Sequence, residues 1–108
     1  MSGPTTTIHF ASATRPDGEV YRGPRCSKEQ AVAWRRLGRD VVICGDDAAE
    51  NERLARDIEE AVSGAGNVKR HPGHTATAGP RALPHYQPLM RPPDGHTFFE
   101  TRSRKAAP

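Results

Sequence analysis

"DVVICG", residues 40–45, is a run of four apolar residues bounded by a charged residue and a glycine. A short continuous apolar run between such boundaries is typical of a buried strand. We therefore predict a buried strand here. Cys44, which ends the apolar run, is predicted to be a buried thiol.

The segment before this strand has the signals of a short helix. Ser27 is a good N-cap and Gln30 follows three residues later, which is the capping-box pattern. Gly38 is a natural stop for the helix. Apolar residues at helical spacing form its predicted inward face: Ala31, Trp34 and Leu37.

The segment after the strand predicts a longer helix. Asp46 or Asp47 can cap it, and we place it at about residues 48–62, before the glycines at 64 and 66. Its Glu and Arg residues are expected to face outward. The predicted inward stripe consists of Leu54, Ile58, Ala61 and Val62.

The two ends of the chain predict strands. Residues 5–11 and the "EVYRG" segment flank a "RPDG" turn and form a predicted hairpin, while "ALPHYQ" and "GHTFFE" predict two short strands. The order β-β-α-β-α-β-β predicts one α+β domain of 108 residues, with two helices packed on an antiparallel sheet. Its parts are the hairpin (1–26), helix–strand–helix (27–66), a histidine-rich sheet region (67–100) and a basic tail (101–108).

Charge and histidine are concentrated in the second part of the chain. Residues 1–66 contain nine Lys and Arg against eleven Asp and Glu, whereas residues 67–108 contain seven against two and four of the five histidines. This coincidence points to an anionic ligand such as phosphate or nucleic acid. Three cations of the tail are expected to be simply solvated: Arg102, Arg104 and Lys105.

Several classes of protein are disfavoured by the sequence. The two cysteines, Cys26 and Cys44, have no metal-like spacing. No window approaches the ~20 apolar residues of a membrane span, so we expect no membrane interaction. The first ten residues, "MSGPTTTIHF", lack the charged start and the apolar block of a signal peptide. Export of this protein would therefore need a dedicated system.

His85 and His96 are the strongest candidates for chemistry. Each belongs to a predicted strand, and two antiparallel strands can bring the imidazoles together on one face. Histidine titrates near neutral pH, so such a pair can serve as general base and general acid in RNA cleavage. The hypothesis requires that both rings share one face and that neither is sealed inside the protein. Candidates for the cation that stabilises phosphate charge are Lys69, Arg70 and Arg81.

Other interpretations of the histidines stay open. His71 and His74 flank a Pro-Gly turn, and with His85 and His96 they could hold one divalent ion that activates water in a metal-dependent nuclease. A structural zinc site is disfavoured because both cysteines lie in the other half of the chain. A third interpretation is a non-catalytic module that binds nucleic acid or a partner protein. His9 is expected to be structural or solvent-facing.

Most of the chain resembles C-terminal toxin domains of bacterial polymorphic toxin systems, such as the Rhs and contact-dependent inhibition proteins. The resemblance spans residues 27–100 and rests on "SKEQAVAWRRLGRDVVICG", "ENERLARDIEEAVSGAG", "KRHPGH", "LPHYQP" and "GHTFFE". "PHYxP" followed by "GHxFF" is its most specific part. The N-terminal hairpin lies outside it.

The resemblance implies a toxin that acts as a ribonuclease, some of which have a compact barnase- or RelE-like fold and use neither metal nor cofactor. It implies His85, Tyr86 and His96 as site residues, with His74 next. Where the family pattern has a second histidine, "PHYHP", this chain has Gln87. Either the amide suffices for hydrogen bonding, or the activity is altered or lost.

The leading hypothesis is therefore a metal-independent ribonuclease toxin without a cofactor. His85 and His96 exchange protons, Arg81 or Lys69 stabilises phosphate charge, and Tyr86 and Thr97 position the RNA. The expected partners are RNA and a cognate immunity protein, and the expected place of action is the cytoplasm of a target cell. The further residues expected to bind substrate are Arg70, His71 and Gln87.

Overall fold

A six-stranded sheet and two helices form the protein in a computed structural model, which describes residues 6–12, 19–72 and 82–107. The strands follow the order β2-β1-β3-β6-β5-β4 across the sheet. The elements are β1 (Thr7–Ser12), β2 (Tyr21–Cys26), α1 (Lys28–Arg36), β3 (Val41–Cys44), α2 (Ala48–Ser63), β4 (Val68–His71), β5 (His85–Pro88) and β6 (Thr97–Phe99). The predicted α+β architecture, with two helices on a sheet, is confirmed.

The strand β3 lies inside the sheet, as its apolar run predicted, and all four of its residues are buried. It pairs antiparallel with β1 and parallel with β6. The sheet is therefore mostly antiparallel, with one parallel pair that the sequence analysis did not foresee. In that pair Val41 lies opposite Thr97, so the residues that precede the two strands also lie side by side.

The helix α1 begins with the predicted capping box. Ser27 Oγ accepts a hydrogen bond from the Gln30 backbone N–H at 3.1 Å, and the Gln30 side chain accepts one from the Ser27 N–H at 2.9 Å. The predicted inward position of Leu37 is wrong, because the helix ends at Arg36 and Leu37 is 71% exposed. Arg35 is fully buried instead.

The helix α2 extends one residue beyond its predicted end and is capped by Asp47, whose side chain accepts from the Glu50 N–H at 3.1 Å. Ile58 faces inward as predicted, but Ala61 is exposed. Leu54 packs against the core, as predicted. Besides Ile58, the fully buried residues of α2 are Asn51, Ala55 and Glu59, and the Glu59 carboxylate was expected to face water. The reason for its burial is the partner that Glu59 finds in α1.

The sheet is covered on both faces. On one face both helices pack against a core that includes Ile8, Val41, Ile43 and Phe99. On the opposite face a smaller cluster is formed by Val20, Val42, Cys44, Leu83 and Phe98, with Ala106 against it. We call the side on which both helices pack the helix face and the opposite side of the sheet the open face.

The two cysteines, Cys26 and Cys44, are free and buried, as predicted for Cys44. Desolvation by burial, reinforced by the nearby Glu100 carboxylate, raises the pKa of the Cys44 thiol to about 12. Cys44 therefore stays a protonated, apolar-like core residue at neutral pH.

The last described residues return to the sheet. The Arg22 N–H donates to the Ala107 carbonyl at 2.7 Å, and the Ala107 N–H donates to the Val20 carbonyl at 2.8 Å. Arg104 donates to the Ala82 carbonyl at 3.2 Å. The basic tail predicted to be merely solvated is thus fastened to the open face, although Arg102 and Lys105 are exposed.

Candidate active site

The three strands β4, β5 and β6 bring three histidines into one row. His71 of β4 lies opposite His85 of β5, and His85 lies opposite Phe98 of β6. His96 precedes Phe98 by two residues, so its side chain points to the same face. The His71 and His85 rings are stacked with their centroids 5.1 Å apart, and the His96 ring meets His85 edge-on at 4.4 Å.

This histidine row (His71, His85 and His96) lies on the open face. The structure thus brings His85 and His96 together, as the pairing of the two predicted strands suggested. It also includes His71, which the sequence placed beside a Pro-Gly turn and indicated as a substrate-binding residue or a metal ligand. The strand β4 was missed because "VKRH" contains one apolar residue and has no alternating pattern.

His85 is the buried member of the row, with 1% of its surface exposed. Its Nε2 lies 3.1 Å from Gln87 Oε1, and its Nδ1 lies 3.5 Å from the Leu83 carbonyl. Burial, aided by the charge of His96 in its protonated form, lowers the pKa of His85 to about 4. The ring is therefore neutral at pH 7, and the requirement that neither ring be sealed inside the protein is not met.

His96 is the more accessible ring, with its side chain 27% exposed. The His96 backbone N–H donates to Asp40 Oδ1 at 2.8 Å, and His96 Nδ1 lies 3.6 Å from the same oxygen. The Asp40 side chain is 18% exposed. A carboxylate and a partly exposed imidazole thus form a pair next to the neutral His85.

The parallel pairing of β3 and β6 places Asp40 next to His96. Each residue immediately precedes its strand, and the Val41 N–H donates to the His96 carbonyl at 3.2 Å. In the sequence, Asp40 is recognisable only as the charged boundary of a buried strand. Its contact with a residue 56 positions away depends on the strand order, which the pattern of the sequence does not reveal.

A buried arginine fixes the loop that leads into His96. Arg35 donates to the carbonyls of Arg39, Asp94 and Gly95 at 2.9, 2.7 and 3.2 Å, and to both carboxylate oxygens of Glu59. These contacts use all five guanidinium donors. The segment on the N-terminal side of His96 is therefore held from inside the protein.

Gly95 is required at the centre of this loop. Its φ is +91°, in the left-handed region that favours glycine. A Cβ atom there would lie 2.7 Å from an Arg35 nitrogen and 2.8 Å from the Gly38 carbonyl oxygen. Close packing around Gly95 thus joins the buried arginine to the position of His96.

The predicted site residues Tyr86 and Thr97 lie on the helix face, away from the histidine row. The Tyr86 hydroxyl donates to Glu52 Oε2 at 2.9 Å, and the Thr97 hydroxyl donates to Glu59 Oε2 at 2.5 Å. Successive side chains of a strand point to opposite faces, so residues adjacent to His85 and His96 turn away from them. Substrate positioning on the histidine row by these two hydroxyls is not compatible with this arrangement.

Two of the cations predicted to bind phosphate, Arg70 and Lys69, lie on opposite faces of the sheet. Arg70 is on the helix face, where it donates to Glu52 Oε2 at 2.8 Å. Burial acts to raise the pKa of Glu52, but hydrogen bonds from Arg70 and Tyr86 and the charge of Arg70 outweigh it and lower the pKa. Lys69 is exposed and alternates with Arg70, opposite Gln87, on the side of the histidine row.

Two predicted site residues, His74 and Arg81, lie outside the described residues. Within the described ranges, no group of three or more His, Cys, Asp or Glu side chains is arranged to hold a metal ion. No helix in those ranges has the length and apolar character needed to cross a membrane.

Comparison of the chain with models of protein families, with curated proteins and with solved structures gives no match.

Proposed function

We propose that this protein is a metal-independent ribonuclease in which His96 exchanges a proton with the substrate. The observation on which the proposal depends is the contact of His96 with His85 on one face, with His96 partly exposed and paired with Asp40. An imidazole beside a carboxylate and open to solvent is a suitable general base or acid. Lys69 adds an exposed positive charge on the same side of the sheet.

Because His85 is buried, we do not assign to it the general acid or base role that the sequence suggested. Two imidazoles 4.4 Å apart do not both become charged easily, and His85 is the neutral one. We assign to His85 a positioning role. It holds the rings of its two neighbours in place, by stacking on His71 and by an edge contact with His96. The partly buried His71 replaces His85 as the second proton-exchanging ring.

The proposed reaction is transfer of the RNA phosphodiester to its own 2′-oxygen. His96 accepts the 2′-hydroxyl proton as that oxygen attacks phosphorus. The bond from phosphorus to the 5′-oxygen breaks, and that oxygen receives a proton from the His71 imidazolium. The products are a 2′,3′-cyclic phosphate and a 5′-hydroxyl, and Lys69 stabilises the phosphorane charge. Arg81 and His74 are proposed as further phosphate-binding groups.

The resemblance to polymorphic toxin domains supplies the proposed biological setting. The chain would be delivered into the cytoplasm of a target cell, and a cognate immunity protein would protect the producer. A net charge of +5 in residues 67–108, seven Lys and Arg against two Asp and Glu, suits RNA and an acidic immunity protein alike. The barnase- or RelE-like form of the α+β fold stays a prediction.

One observation favours a second candidate, a non-catalytic nucleic-acid-binding module. His85, one of the two histidines that the sequence indicated as catalytic, is almost completely buried. A binding module needs only the positive surface and makes no demand on the histidines.

The deciding experiment is incubation of the purified protein with total RNA and with plasmid DNA, with and without EDTA. Wild-type protein and the His96→Ala and His71→Ala variants are compared, with His9→Ala as the control histidine in β1. Cleavage of RNA that survives chelation and is lost in the first two variants supports the proposal. Inhibition by EDTA indicates a metal-dependent nuclease. Intact RNA with salt-sensitive retention indicates the binding module.

A further inference from the structure

We propose that Asp40 is a positioning residue that selects the tautomer of His96. The inference rests on the proposed function of His96 and adds a residue that the sequence analysis did not assign to the site. Asp40 Oδ1 accepts the His96 backbone N–H at 2.8 Å and also faces its Nδ1 at 3.6 Å.

The backbone hydrogen bond fixes the carboxylate where it can act on the ring. Because Asp40 Oδ1 is bound to the N–H of the same residue, the oxygen cannot move away from the imidazole without losing that bond. A separation of 3.6 Å is too long for a hydrogen bond, but a small ring rotation shortens it. Catalytic hydrogen bonds are commonly long before substrate binds.

Arg35 lies near the Asp40 carboxylate, since its Nη1 and Asp40 Oδ1 are 2.7 and 3.1 Å from the same point beside Gly95, but it forms no ion pair with Asp40. Within the described residues, His96 is its ion-pair partner, and no Lys or Arg nitrogen lies within 4.0 Å of its oxygens. The nearest arginines in sequence are engaged elsewhere, since Arg35 is bound to carbonyls and Glu59, and Arg39 lies over the Trp34 ring at 5.0 Å. The negative charge is therefore directed at the imidazole.

This geometry determines which nitrogen of His96 is available. A carboxylate oxygen only accepts hydrogen bonds, so it favours the proton on Nδ1 and leaves the lone pair on Nε2. The ring plane is supported by His85 at 4.4 Å and by Phe98 at 5.3 Å between centroids. His96 Nε2 is then the atom that accepts the 2′-hydroxyl proton.

The kinetic test uses Asp40→Asn, measured with a fluorogenic oligoribonucleotide. An asparagine keeps an oxygen that accepts the His96 N–H, but without the charge that oxygen is a weaker acceptor for the proton on Nδ1. We expect kcat to fall about tenfold or more with KM within about twofold, because orientation of the base matters in the transition state. Asp94→Asn is the matched control, since its carboxylate is in the same loop and 70% exposed. Equal kcat in wild type and Asp40→Asn would overturn the proposal.

A second test is independent of RNA cleavage. Imidazole nitrogen NMR of the neutral wild-type ring should show His96 protonated mainly on Nδ1, and Asp40→Asn should lower that fraction. A wild-type ring protonated mainly on Nε2 overturns the role of Asp40 even if RNA is cleaved. A ring protonated on Nδ1 in a protein that cleaves no RNA supports the role of Asp40 in selecting the tautomer and shows that the proposed ribonuclease function fails.

Discussion

Arg35 in α1 and Glu59 in α2 form an ion pair in the protein interior, with Nε to Oε2 at 2.6 Å and neither side chain exposed. Glu59 Oε2 also accepts the Thr97 hydroxyl, so the pair joins both helices to β6. Arg35 extends the connection to the loop before His96. The two helices, the central sheet and the candidate site are therefore connected through one buried polar cluster.

Removal of one partner of this pair should destabilise the protein strongly. Glu59→Ala leaves the Arg35 charge buried without its carboxylate, and we expect the free energy of unfolding to fall by about 3–5 kcal/mol. Urea unfolding followed by circular dichroism measures the change. Glu60→Ala is the control, since Glu60 pairs with the exposed Arg56 and should cost about 1 kcal/mol or less. Similar losses in both variants would contradict the central role of the pair.

The buried His85 predicts a loss of stability in acid. Its pKa in the folded protein is lowered to about 4 from 6.5, so between these values the unfolded chain binds the extra proton. The free energy of unfolding is therefore highest above pH 6.5 and falls by about 3 kcal/mol as the pH decreases to 4.

Urea unfolding of wild type and His85→Gln across this pH range checks this prediction. The glutamine variant should lack this part of the pH dependence, whereas the control His9→Gln should keep it. An identical slope in wild type and His85→Gln would show that the His85 ring is protonated at little cost.

Gln87 should matter for stability through its contact with His85. Gln87→Ala removes the acceptor that lies 3.1 Å from His85 Nε2, and the loss of one hydrogen bond costs about 0.5–1.5 kcal/mol. Gln87→His, the residue of the family pattern, should lose less because an imidazole nitrogen can accept the same bond. Thermal unfolding of the two variants provides the comparison, and a greater loss for the histidine variant would refute this account.

Gly95→Ala should damage both the fold and the candidate site. The new methyl group would lie less than 3 Å from Arg35 and Gly38, and the backbone φ of +91° is unfavourable for alanine. We expect the free energy of unfolding to fall by about 2 kcal/mol or more. RNA cleavage should fall as well, since the loop positions His96.

The control for this variant is Gly66→Ala, which has a similar φ of +82° but nothing within 4 Å of the added atom. Its cost should be limited to the unfavourable left-handed backbone conformation of an alanine, about 1 kcal/mol. Equal effects at the two glycines would show that close packing at Gly95 contributes little.

The local signals in the sequence predicted the elements well. The apolar run 41–44 and the Ser27–Gln30 capping box correspond to β3 and to the start of α1 because both depend on neighbouring residues. Strand alternation could also have separated Tyr86 from His85, since adjacent strand residues face opposite ways.

Other features depend on contacts between distant parts of the chain. Arg35 looks like a solvent-facing helix residue until Glu59 is placed opposite it, and burial of the pair adds a charged residue to the inward face of each helix. Asp40 joins the site only because β3 and β6 are parallel neighbours. Neither pairing leaves a periodic pattern in the sequence, so the core residues and the pairing of Asp40 with His96 could not be derived from it.

The position of β6 between β3 and β5 determines when the candidate site is assembled during folding. Neither Asp40 nor His85 contacts His96 until β6 has inserted between β5 and β3, which comes from much earlier in the chain. A nascent or unfolded polypeptide therefore holds the separate side chains but no assembled centre. We therefore expect the proposed activity to require the closed sheet and to be absent from an unfolded chain.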